Sequence, residues 1–177
     1  MRIIERLTTV AVLLAAVLVI AVTVRDRLFP GNNPHQDAAR AAQQLVGKPF
    51  PVPAGYQIGK TATVLLVVSS TCHYCSESMP FYRQLAAIQP KASGELGLLA
   101  VVPENSDTGL EYLSRNGVRV AGAISTPLSK VGLAATPTLV LLDRNGRVMD
   151  VWVGMLDARR QGNVLKRLRE ICERCLV

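Results

Sequence analysis

Four cysteines stand in this chain as two Cys-x-x-Cys pairs, Cys72 with Cys75 and Cys172 with Cys175. Two sulfurs at that spacing can close a disulfide, exchange it with another molecule, or supply half of a zinc site. Around the first pair the local sequence favours exchange. Ser69, Ser70 and Thr71 supply helix-capping side chains, so Cys72 falls at the amino terminus of a helix. There, unpaired amides and the helix dipole favour a thiolate over a thiol. Cys72 is then the expected nucleophile, and Cys75, within reach across two intervening residues, resolves a mixed disulfide formed at Cys72. A structural disulfide or half of a zinc site is the competing reading. His73 adjoins the nucleophile and, if charged, stabilises the thiolate and makes the pair more oxidising; as an ordinary exposed histidine it does little. Tyr74 reads as recognition surface or packing rather than as an acid.

The elements that must hold this pair are legible on either side of it. Thr61 to Val68 is a continuous β-branched and apolar run, suited to a strand buried on both faces. It leads straight into the capped helix, where Met79, Tyr82, Leu85, Ala86 and Ile88 keep helical spacing. Gly97 to Val102 forms a second strand, and a helix from Asp107 to Asn116 is stopped by Gly117. Thr138 to Leu142 and Val148 to Val153 flank Asp143-Arg144-Asn145-Gly146, whose Asn-Gly marks a hairpin. A last helix runs from Asp157 to Cys172. Its apolar stripe of Val164, Leu165, Leu168 and Ile171 continues into Cys172 and Cys175. Buried or half-buried thiols at a helix end fit that stripe, with a second disulfide or an intermolecular link as the alternatives.

Ahead of this α/β domain, placed at residues 46–177, lie two segments of different character. Leu7 to Val24 is uncharged for eighteen residues, flanked by Arg2 and Arg6 before and Arg25 and Arg27 after. As a helix it spans roughly 27 Å, close to a bilayer core, and it lacks a good small-x-small cleavage site, so an uncleaved anchor over residues 1–28 is preferred to a signal peptide. Residues 29–45 read as a Pro- and Gly-marked linker with a short alanine-rich helix. The arginines balance across the span, so charge alone does not orient it. The net charge of +7 is uneven, with Arg159, Arg160, Lys166, Arg167, Arg169 and Arg174 crowded on the last helix. A solvated face, or one lying against anionic lipid, accounts for it; no aromatic pattern or motif supports nucleic-acid binding.

The strand running into Cys72 and Cys75, Pro80 five residues further on, the Thr136-Pro137-Thr138 turn, and the Asp143 to Gly146 hairpin leading to Val153-Gly154 together resemble the thioredoxin superfamily. Within it the chain resembles the membrane-anchored TlpA/ResA-like thiol-disulfide oxidoreductases, over about residues 46–170. The resemblance implies a thioredoxin fold, a central mixed sheet flanked by helices, with no cofactor and no metal. It implies Cys72 and Cys75 as the catalytic redox disulfide, a cis-proline at Pro137 facing them, and Thr136 and Pro137 as the site that binds the incoming peptide or thiol. Protein thiols and disulfides are the implied substrates, an envelope or membrane protein the implied electron donor, and reduction the commoner direction. The working domain then sits on the periplasmic side of the cytoplasmic membrane, on a single-pass anchor. Three positions depart from the family pattern. Thr71 stands where tryptophan commonly precedes the first cysteine, Leu66 replaces a buried acid, and Ser78 replaces a TlpA-like glutamate, with Glu77 one position earlier. In such a fold the last helix leads away from the first cysteine pair by about 20 Å, which opposes a zinc site shared by all four sulfurs. The alternative function, a metal-binding or copper-chaperone module, would have to use His73 or recruit His35 from the linker.

Overall fold

A computed structural model describes residues 12–21, 23–24, 34–56, 58–88 and 94–172. The chain forms two compact units, Met1–Gln36 and Asp37–Val177. In the first, residues 12–21 and 23–24 are helical, and Val12, Leu14, Val17 and Leu18 are exposed. The Thr23 hydroxyl donates back to the carbonyls of Val19 at 2.9 Å and Ile20 at 3.0 Å. Among the described residues no helix is long and apolar enough to cross a membrane. The span expected over Leu7 to Val24 takes in residues 7–11 and 22, which lie outside the described residues, as do linker residues 29–33 and Cys175.

The second unit is built on five strands: β1 (Ala62–Val67), β2 (Leu96–Val102), β3 (Ala123–Ser125), β4 (Thr138–Asp143) and β5 (Val148–Val153). Their order across the sheet is β3-β2-β1-β4-β5. β1 runs parallel to β2 and β2 to β3, while β4 is antiparallel to both β1 and β5. Every residue of β1 and β2 is buried, because apolar layers cover both faces of the sheet. On one face Val64, Leu66, Leu98, Ala100, Leu139 and Leu141 meet α2 (His73–Glu77), α3 (Met79–Ile88), α4 (Ser106–Arg115) and α5 (Ala158–Ile171) through Cys75, Met79, Leu85, Leu113, Val164 and Leu168. On the other, Leu65, Val67, Leu99, Val101, Val140 and Leu142 pack with Ala42, Phe50, Val131 and Leu133.

Local chemistry sets the ends. Asn105 accepts from the Asp107 amide at 2.8 Å and starts α4, and Asp157 accepts from the Arg160 amide at 2.8 Å and starts α5. The β4–β5 hairpin closes on Asp143, whose carboxylate accepts the amides of Asn145 and Arg147 at 2.8 and 2.9 Å, with Gly146 at φ 73 supplying the left-handed turn.

Three features differ from the sequence reading. The compact unit begins at Asp37, ahead of the expected Val46, because the linker helix α1 (Pro34–Gln43) buries Ala38 and Ala42 in the domain. Strand β3 and a 3-10 turn at Leu128–Val131 were not expected; β3 is three residues long and exists through its parallel pairing with Ala100 to Val102. The capped helix is also broken in two. Pro80 has no amide to donate into the preceding turn, and the chain restarts at Met79.

The sheet has two edges. β3 is the short one. Along β5, the Val148 carbonyl and amide bond Gly47 and Lys48 at 2.8 and 2.9 Å. The Val151 carbonyl accepts from the Gln43 side chain at 3.1 Å, and that of Val153 from Arg160 at 3.0 Å.

Candidate active site

Strand β1 ends at Val67, and after four intervening residues the chain turns into α2 at its N-cap, Cys72. That turn is held amide by amide. Cys72 N–H donates to the Ser69 carbonyl at 3.1 Å, Thr71 N–H to the Ser69 hydroxyl at 3.4 Å, and Ser70 N–H to a carboxylate oxygen of Glu104 at 2.6 Å. The Cys72 sulfur accepts the Cys75 amide at 3.2 Å, and its thiol donates to the Thr136 carbonyl at 3.5 Å. Cys72 is half-buried and Cys75 is 0% exposed. Only one of the two sulfurs can therefore meet another molecule.

The Thr136–Pro137 peptide is cis. Pro137 is buried, and its carbonyl accepts the Gly154 amide at 2.8 Å, which ties this loop to the end of β5. The expected neighbours Cys72, Cys75, Thr136 and Pro137 are thus brought together at the ends of β1 and β4.

Burial pushes the Cys75 thiol up to about 12, the adjoining Cys72 sulfur adds to it, and bonds from the Ser69 backbone and the Thr136 side chain oppose it. Leu66, 0% exposed, belongs to the same apolar cluster as Cys75 and supplies no carboxylate there. Tyr82 is buried in that cluster, its phenol raised by burial and then by the Cys75 charge. Tyr112 is raised in the same direction, by burial first, and its hydroxyl shares a 2.9 Å hydrogen bond with Ser76. Ser78 is also buried; its hydroxyl donates to the Tyr74 carbonyl at 2.8 Å and seals the break between α2 and α3.

His73 points outward. Its imidazole is 3.2 Å from Glu77 and edge-on to Tyr74, with ring centroids 5.6 Å apart. Tyr74 itself is 51% exposed, in keeping with a surface role. Glu104 was not singled out from sequence, and no local signal marks it: it and Ser70 are 34 positions apart.

Cys172 is buried and disulfide-bonded, with its partner outside the described residues. This corrects the reading of a buried free thiol in favour of a second disulfide. α5 ends at Ile171, and Cys172 leaves helical backbone at φ -135, ψ 84. Among the described residues no group of three or more His, Cys, Asp or Glu could hold a metal ion.

No protein-family model matches the chain, and no curated protein matches it. Solved structures do. A candidate thiol:disulfide interchange protein DsbE from Chlorobium tepidum is 24% identical, with a TM-score of 0.51 over 63% of this chain and 81% of that one. A candidate protein disulfide isomerase from Bacteroides thetaiotaomicron is 18% identical, with a TM-score of 0.59 over 72% and 90% of the two chains. A candidate thioredoxin from Neisseria meningitidis is 18% identical, with a TM-score of 0.52 over 64% and 75%. With five strands in a mixed sheet, helices packed on it and a dithiol at the end of β1, the chain has the thioredoxin fold.

Proposed function

We propose that this chain is an extracytoplasmic thiol-disulfide oxidoreductase that exchanges electrons with protein thiols and disulfides through Cys72 and Cys75, working mainly as a reductase. The observation that carries the reading is the asymmetry of the pair, an accessible sulfur 3.2 Å from the amide of a cysteine with no exposure. The accessible Cys72 thiolate attacks a client disulfide, forming one sulfur–sulfur bond and releasing one client thiolate. Cys75 then gives up its proton and attacks the Cys72 sulfur; the mixed disulfide breaks, and the second client thiolate leaves and takes up a proton. Two electrons and two protons pass from the dithiol to the client. A membrane or envelope dithiol protein restores the pair by the same steps in reverse.

Thr136 and Pro137 bind the incoming chain beside Cys72, a role supported by the Thr136 carbonyl at 3.5 Å from the sulfur. His73 is a tuning residue, and the Glu77 carboxylate at 3.2 Å offsets any positive charge on it, which favours the reductase direction. The uncharged run from Leu7 to Val24 serves as a single-pass anchor in the cytoplasmic membrane, with residues 46–177 on the periplasmic side. The apolar side chains exposed along residues 12–20 support this, since such a surface needs a cover. A disulfide-type pair also suits an oxidising compartment.

Mixed disulfides trapped from envelope extracts test the site. They should accumulate with Cys75→Ser and vanish with Cys72→Ser; the reverse pattern would reject the assignment. Protease added to sealed spheroplasts should remove the domain, and full protection would reject the topology.

A further inference from the structure

Glu104 sits where three neighbouring parallel strands end. It follows β2, and its backbone carbonyl accepts the Ser125 hydroxyl at 2.7 Å, from the last residue of β3. Its half-buried carboxylate reaches the other way, to the Ser70 amide at 2.6 Å, in the loop that leaves β1 for Cys72. Of the three amides that hold this loop, those of Thr71 and Cys72 are satisfied within it by Ser69, and that of Ser70 from a different element.

We propose that Glu104 is a positioning residue that straps the Ser70–Cys72 loop to the sheet and so sets the register of the Cys72 sulfur against Cys75. The proposal rests on the exchange reading of the pair. The strap matters most for ring closure, when the Cys75 sulfur must meet the Cys72 sulfur in line with the bond being broken. As that bond forms, the bond from Cys72 to the client sulfur breaks, and the departing thiolate takes the proton Cys75 has lost. The first attack asks less of the loop, because an exposed sulfur meets a freely diffusing disulfide.

The test uses the full chain, reduced, and an aromatic disulfide that releases a coloured thiolate at each step. The first phase depends on reagent concentration and the second does not, and signal from other cysteines is subtracted with Cys72→Ser. Glu104→Ala should slow the second phase by about tenfold, equivalent to ~1.4 kcal/mol, and leave the first within about twofold. Glu104→Gln keeps an oxygen acceptor and should stay within about twofold of the native protein in both phases. An unchanged second phase in Glu104→Ala would overturn the strap, as would an equal loss in Glu104→Gln. Should Glu104→Ala fail to fold, Ser125→Ala loosens the same residue from its other side and is expected to slow the second phase alone; no slowing there would overturn the proposal. A native protein that released no second thiolate would overturn the exchange reading itself, and the strap with it.

Discussion

The second step of exchange should quicken by about tenfold for each pH unit between pH 7 and 10, because the attacking Cys75 is protonated throughout that range. Burial is the root of this behaviour. Cys75 has no exposure, and its thiol is pushed from 9.0 up to about 12, with burial the leading cause. The contribution of the free Cys72 sulfur disappears once Cys72 is bonded to a client, but burial does not. A thiol raised that far holds about a thousandfold less thiolate at neutral pH than an unperturbed cysteine would. A more basic thiolate is also a better nucleophile; at a Brønsted slope of ~0.4–0.5 the same rise returns roughly 16- to 30-fold. The net effect is a slower ring closure than that of an exposed thiol held in the same place, by at most about 30- to 60-fold, because part of the rise belongs to the free Cys72 sulfur. The two-phase release assay reads this directly, as a concentration-independent rate followed against pH. A rate that levels off below pH 9 would refute the reasoning, since it would require either a base beside Cys75 or a thiol much less perturbed.

Two further outcomes follow from packing. Leu66→Asp puts a carboxyl at a position with no exposure, and should cost about 3–5 kcal/mol at pH 7, read by urea unfolding. The buried acid's folded pKa lies above its unfolded value near ~3.9, so the deficit should shrink as pH falls towards that value and grow as pH rises through the folded one; a pH-independent deficit would point to lost packing alone. In Gly97→Ala the new methyl would lie 2.6 Å from the Gly59 backbone nitrogen and 2.9 Å from the Thr63 hydroxyl; the expected loss is about 1–3 kcal/mol, and an unchanged melting temperature would show that the 59–63 turn can move aside.

Much of the scaffold could be read from residue patterns because those patterns are local. The run from Thr61 to Val68 announces a strand buried on both faces, and both faces of β1 are covered. Asn145-Gly146 announces the hairpin, and its turn is closed by Asp143. What escaped depends on distant partners. The three residues of β3 carry no strand signal and are ordered by pairing with β2. Helix α1 looked like part of a linker, since alanines give no hint of whether they will be covered, yet Ala42 is 1% exposed. At the site, the spacing of Cys72 and Cys75 was visible, and the cis bond before Pro137 was expected only through resemblance. Glu104 was invisible, because a single carboxylate after Pro103 looks like any solvated turn residue until the strands are laid side by side. The state of Cys172 was equally hidden, as an apolar stripe suits a thiol and a disulfide alike.

The covered rim of β5 bears on how such a protein escapes aggregation. An outer strand with vacant amides and carbonyls is a template on which any unfolded chain can add itself as the next strand. Here Gly47, Lys48, Gln43 and Arg160 already occupy groups of Val148, Val151 and Val153, and the opposite edge is only three residues long. With one rim occupied and the other only three residues long, the sheet offers an incoming chain little edge on which to add a strand.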